Sequence, residues 1–146
     1  MARGIAGQLA NAHYSTSKIL FKKTGSDIKQ SIDGVVKLLE EKISSAKTSI
    51  EEICKRRELD PSEVIEAGTD ENAVQTYSTK AETSMGRQSS NNVIRELQND
   101  LFSLRRHAAT IESLKNDIDS LQRTQKNIEP EREFDLSYQE LVEFGF

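Results

Sequence analysis

The sequence predicts an all-α chain: an elongated antiparallel helical hairpin or bundle with coiled-coil-like packing, plus short flanking helices. Two apolar seams carry this prediction. The first is Ile28, Ile32, Val35, Leu39, Ile43, Ala46, Ile50, Ile53. The second is Ile94, Leu97, Leu101, Leu104, Ala108, Ile111, Leu114, Ile118, Leu121, Ile128. Steps of three and four residues place one side chain per turn on one helix face, and such a face must be buried against another helix. Composition agrees: 35% of the 146 residues are hydrophobic, thin against the roughly 45–50% of ordinary globular domains. A hairpin that buries one stripe per helix needs less apolar surface than a layered core. The exposed face of the first stretch also carries acids four residues before bases, Asp33/Lys37, Glu51/Lys55 and Glu52/Arg56, the favourable order on a helix.

Three regions follow from charge and pattern. Residues 1–26 hold Arg3, Lys18, Lys22 and Lys23 and no acid. Ile5, Leu9, Ala12, Thr16 and Ile19 fall at helical steps, so this segment is expected to be a basic amphipathic helix, though Gly4 and Gly7 weaken its start. It is too polar for a secretory signal. Lys18, Phe21, Lys22 and Lys23 are its candidate contacts for a membrane surface or an acidic partner.

Residues 27–128 form the hairpin or bundle core. Gly25-Ser26-Asp27 punctuates the entry, with Ser26 or Asp27 as helix cap. The first long helix is expected to run to about Arg57. In Leu59-Asp60-Pro61-Ser62-Glu63-Val64, Asp60 reads as N-cap, Pro61 as first helical residue and Glu63 as the return half of a capping box, with Leu59 and Val64 as a hydrophobic staple. A short helix then runs to Ala67 and stops at Gly68. Residues 69–92 are a polar connector in which Val74, Tyr77, Ala81 and Met85 keep helical spacing up to Gly86, with Thr69 or Asp70 as cap. A polar helix and a mobile loop both fit that composition. The last long helix spans about Asn92 to Asn127, with Glu112/Lys115 and Asp119/Arg123 on its outer face, and Glu129-Pro130 ends it. A three-residue step at Ile111-Leu114 and a four-residue step at Leu39-Ile43 put the seams out of phase. That favours a bundle with local repacking over a long regular coiled coil.

Residues 129–146 are acidic and aromatic: six acids stand against Arg132, and four of the chain's eight aromatic residues lie here. Ser137 and Glu140 are capping-box-like. Phe134, Leu136, Tyr138, Leu141, Val142, Phe144 and Phe146 are candidate partner-binding residues, apolar anchors among acids, docking in cis or in trans. Removing 134–146 is expected to abolish partner capture while leaving helicity and thermal unfolding nearly unchanged.

The chemical inventory is sparse. Cys54 is the only cysteine, so no internal disulfide forms, and it reads as a small apolar residue at the seam edge. His13 and His107 are far apart, and His107 is expected to face solvent. No metal-ligand spacing, phosphate-cradling glycine loop or nucleophile elbow is present. The pI near 5.3 disfavours nucleic acid, and no run approaches the length of a membrane span. The expectation is a cytoplasmic, non-catalytic protein-protein interaction module without cofactor: an adaptor, assembly subunit or partner-blocking inhibitor. It would act as a homo-oligomer or in a heteromeric complex. The alternative is a membrane-surface or secreted helical protein using its basic N-terminus.

Overall fold

The computed structural model of the protein describes residues 19–86 and 90–146. The elements are β1 (Phe21–Thr24), α1 (Gly25–Arg57), α2 (Pro61–Ala67), α3 (Glu71–Met85), α4 (Asn91–Lys126), β2 (Glu133–Leu136) and α5 (Tyr138–Glu143). About 78% of the described residues are helical, and the long pair α1 and α4 pack against each other. The chain divides into two compact units, one drawing on residues up to Leu38 and on Asp119–Phe146, the other on Leu39–Ile118. No helix among the described residues is long and apolar enough to cross a membrane.

In the first unit, β1 and β2 pair antiparallel with Phe21 opposite Leu136, Lys22 opposite Asp135, Lys23 opposite Phe134 and Thr24 opposite Glu133. This corrects the expectation of helix through residues 19–24. The rest of the expected N-terminal helix, Lys18 included, lies outside the described residues. The register sets one basic residue against one acid of opposite sign, a favourable cross-strand pair.

Thr24, rather than Ser26 or Asp27, caps α1. The Asp27 N–H donates to Thr24 Oγ1 at 3.1 Å, and the Thr24 N–H donates back to Asp27 Oδ2 at 3.3 Å. The next two amides are satisfied by the loop after α4: Gly25 N–H donates to the Arg132 carbonyl at 2.7 Å and Ser26 N–H to that of Pro130 at 2.8 Å. The first three donors of the helix, which have no intrahelical partner, are thus all used. Further on, Gln125 Nε2 donates to the Lys29 carbonyl at 2.8 Å and to Asp33 Oδ1 at 2.6 Å. Residue numbers run oppositely along the two helices, so the pair is antiparallel.

Burial follows the seams in large part, with Leu39, Leu114, Leu121 and Ile128 half-buried. Ile28, Ile32, Ile43, Ala46, Ile50 and Ile53 are buried on α1, and Leu97, Leu101, Leu104, Ala108, Ile111 and Ile118 on α4. Val36 is buried where the even spacing pointed to Val35, which is half-buried. Ile94 is 39% exposed, one turn short of the buried stripe. His107 is half-buried instead of facing solvent.

The second unit is held by caps and ion pairs. Glu58 closes α1 at a positive φ of 57°, and the Leu59 N–H reaches back to the Cys54 carbonyl at 3.0 Å, a Schellman closure without its usual glycine. Asp60 caps α2 as expected, accepting from the Ser62 N–H at 3.0 Å and the Ser62 hydroxyl at 2.7 Å. Glu63 does not complete the box. Its carboxylate takes Lys80 Nζ of α3 at 2.9 and 3.1 Å, because a full cationic charge outbids a backbone amide. Residues 71–85 resolve to a helix capped by Asp70 and closed at Gly86, with Val74, Tyr77 and Ala81 buried. Glu112 and Lys115 both lie on the exposed face, but the Glu112 carboxylate is used across to the loop before α3. It accepts from the Thr69 N–H at 3.1 Å and hydroxyl at 3.2 Å. Asp100 gathers two guanidinium groups, Arg56 at 2.9 Å and Arg57 at 2.7 Å.

Candidate interaction surface

The C-terminal segment is built from the strand outward. Leu136 ends β2 and is buried, 4% exposed. Ser137 then turns the chain into α5 through a complete capping box: Glu140 N–H donates to Ser137 Oγ at 3.2 Å, and Ser137 N–H to Glu140 Oε1 at 2.9 Å. After Glu143 the chain closes back on itself, the Phe146 N–H donating to the Leu141 carbonyl at 2.9 Å. Gly145 has a positive φ of 91° and sits against Val35 and Ser31 of α1, where a Cβ would collide with the Val35 side chain. A left-handed backbone and a close approach both require glycine here.

Two cations hold the aromatic side chains. The Lys23 ammonium lies 4.8 Å from the Phe146 ring centroid, and the Arg132 guanidinium lies 4.9 Å from that of Phe134. Each is within cation–π reach. The first of these joins the basic N-terminal region to the acidic aromatic tail within one chain, whereas Arg132 and Phe134 both lie in the tail.

The seven tail residues named from sequence therefore separate. Leu136 is core and offers no surface; Phe134, Leu141 and Phe144 are half-buried. Tyr138, Val142 and Phe146 are 42%, 55% and 43% exposed. Tyr138 and Val142 are four residues apart, hence on one face of α5. Of the residues named for a membrane or acidic partner, Phe21 is half-buried opposite Leu136, Lys23 is occupied by Phe146 and Lys22 is exposed.

Sequence reasoning missed a second surface, in the unit Leu39–Ile118. Phe102 of α4 is 64% exposed. It flanks a groove of about 430 Å³ between α3 and α4, floored by Val74 and Ala109 and rimmed by Arg105, Arg106 and Glu71. Phe102 is off the seam, and that was its signal: a large aromatic on the polar face, one turn before a pair of arginines.

The buried titratable groups are quiet. Burial, with the nearby Asp60 and Glu63 carboxylates, pushes the Cys54 thiol up to about 11, away from the thiolate that makes cysteine reactive. Burial also raises the Tyr77 phenol, against a smaller pull from Arg105. The His107 imidazole is lowered by burial and then by Arg106. Among the described residues, no group of three or more His, Cys, Asp or Glu is placed to hold a metal ion. No protein-family model, curated protein or solved structure matches the chain.

Proposed function

We propose that this chain is a non-catalytic protein-protein interaction module, working as an adaptor, assembly subunit or partner-blocking inhibitor in the cytoplasm. One observation carries the reading. Tyr138, Val142 and Phe146 stay largely exposed on a segment that is otherwise fastened by a β pairing, a capping box and a cation–π contact. Apolar side chains held in fixed positions at the surface bind with little further loss of conformational freedom, the condition under which a small patch captures a partner. Acids at Gln139's neighbours Glu140 and Glu143 flank the anchors and favour a partner with basic residues beside an apolar pocket.

The test replaces Gln139, which is exposed, with a photo-crosslinking amino acid in the full-length chain and irradiates it in an extract of its native source. A crosslinked product is expected, reduced on the order of tenfold or more by Tyr138→Ser with Val142→Ser, the loss of a hot-spot pair. Circular dichroism should be unchanged, since both side chains are on the surface. A product of equal yield in the double variant, or none at all, overturns the reading.

A further inference from the structure

The groove beside Phe102 and the surface of α5 match each other in chemistry. The groove has an apolar floor, an aromatic wall and a rim of two arginines against one glutamate. The C-terminal segment has two apolar side chains on one helical face, a third beyond them, and a net acidic charge, with Glu140 and Glu143 on the same short helix. We infer that the groove receives the C-terminal segment of a second copy of this chain, so that copies join head to tail. The inference rests on the reading of α5 as an interaction surface and names its occupant.

Three physical points favour this occupant. Guanidinium groups suit carboxylates through paired hydrogen bonds and suit a tyrosine ring through stacking, so Arg105 and Arg106 fit a segment holding both Glu143 and Tyr138. A groove of about 430 Å³ lies at the small end of the range for ligand sites. It admits a few side chains such as Tyr138 and Val142, not a whole long helix. Burying Phe102 with them removes from water the most exposed large apolar residue described. The two surfaces are different patches, so the contact is heterologous: it leaves one groove and one tail open on each pair and continues into a ring or a chain. The patch is well below the roughly 1,000 Å² of a tight interface, so association is weak and concentration-dependent.

Sedimentation velocity of the full-length protein over a concentration series tests this. The mass is expected to rise above the 16.4 kDa of one chain as concentration increases, and to fall back in high salt because the arginine–carboxylate contacts are screened. A groove variant (Phe102→Ser with Arg106→Glu) and a tail variant (Tyr138→Ser with Val142→Ser) should each stay monomeric. Mixed together, they should form a one-to-one pair and nothing larger, since each keeps one working half. All four side chains are exposed; if a double variant loses helicity, Arg106→Glu alone and Val142→Ser alone serve in its place. A wild-type chain that remains monomeric at every concentration in low salt overturns the proposal. So does a tail variant that still associates, or a mixture that yields no pair. A monomeric chain whose Gln139 probe still crosslinks to a different polypeptide rules out head-to-tail joining and leaves the interaction module intact. Loss of both signals removes both.

Discussion

Tyr77 is wholly buried, and its hydroxyl has no hydrogen-bond partner among the described residues. A desolvated, unpaired hydroxyl costs about 1–3 kcal/mol, and phenylalanine keeps the ring without it. Tyr77→Phe should therefore raise the urea midpoint by about 1 kcal/mol equivalent with an unchanged slope; a lower midpoint would show that the hydroxyl is satisfied. The periodicity of α3 was enough to place Tyr77 inside, but not to show that its oxygen would be stranded there. Glu58 poses a similar problem in the backbone. Its left-handed φ of 57° costs a side-chain-bearing residue about 1–2 kcal/mol, part of which glycine returns as unfolded-state entropy. Glu58→Gly should stabilise the chain by about 0.5–1 kcal/mol in thermal unfolding. At Gly25 the sign reverses. A Cβ there would run into the Glu129 carbonyl, so Gly25→Ala should destabilise by about 1–3 kcal/mol, as overpacking does. Turn composition identified Gly25 as punctuation; the close approach depends on a loop more than a hundred positions away in sequence.

Among the elements, the helices were legible and the strands were not. Asp60-Pro61 and Ser137-x-x-Glu140 announced their helices because a cap acts on amides two or three residues away. Phe21–Thr24 and Glu133–Leu136 are four-residue strands whose stability lies in each other, and no window of sequence contains both. That pairing revises the truncation experiment. Removing 134–146 deletes part of β2 and the buried Leu136, a side chain whose burial contributes about 1.5–3 kcal/mol, so the melting temperature should fall measurably. An unchanged melting temperature would mean that the hairpin contributes nothing. Side-chain pairing was equally hidden. Glu52/Arg56 and Glu112/Lys115 satisfy helical spacing, yet Arg56 goes to Asp100 and Glu112 to Thr69. Those partners come from other elements, 44 and 43 residues away in sequence, beyond the reach of any helical-spacing rule.

For the whole molecule, the titratable groups define a window of stability. The His107 imidazole is held below its ordinary 6.5 by burial. As pH falls through that value the unfolded chain takes up a proton that the folded chain refuses, and stability drops. The Cys54 thiol is raised from 9.0 to about 11. Above pH 9 the unfolded chain releases a proton that the folded chain keeps, so stability falls by about 1.4 kcal/mol per pH unit up to about pH 11, and Tyr77 adds in the same direction. Urea titrations from about pH 5 to about pH 11 should give a plateau bounded on both sides, with Cys54→Ala flattening much of the alkaline limb. An alkaline limb unaffected by that substitution would contradict the assignment.

The sequence by itself determined the all-α class, the two long helices, the short capped helix and the acidic aromatic tail, because periodicity, caps and charge act over one or two turns. Tertiary structure alone decided that Phe21–Thr24 pairs with Glu133–Leu136, that Leu136 is core while Tyr138, Val142 and Phe146 face outward, and that Phe102 borders a groove. Each of these depends on a partner distant along the chain, and a one-dimensional pattern carries no information about which surfaces meet.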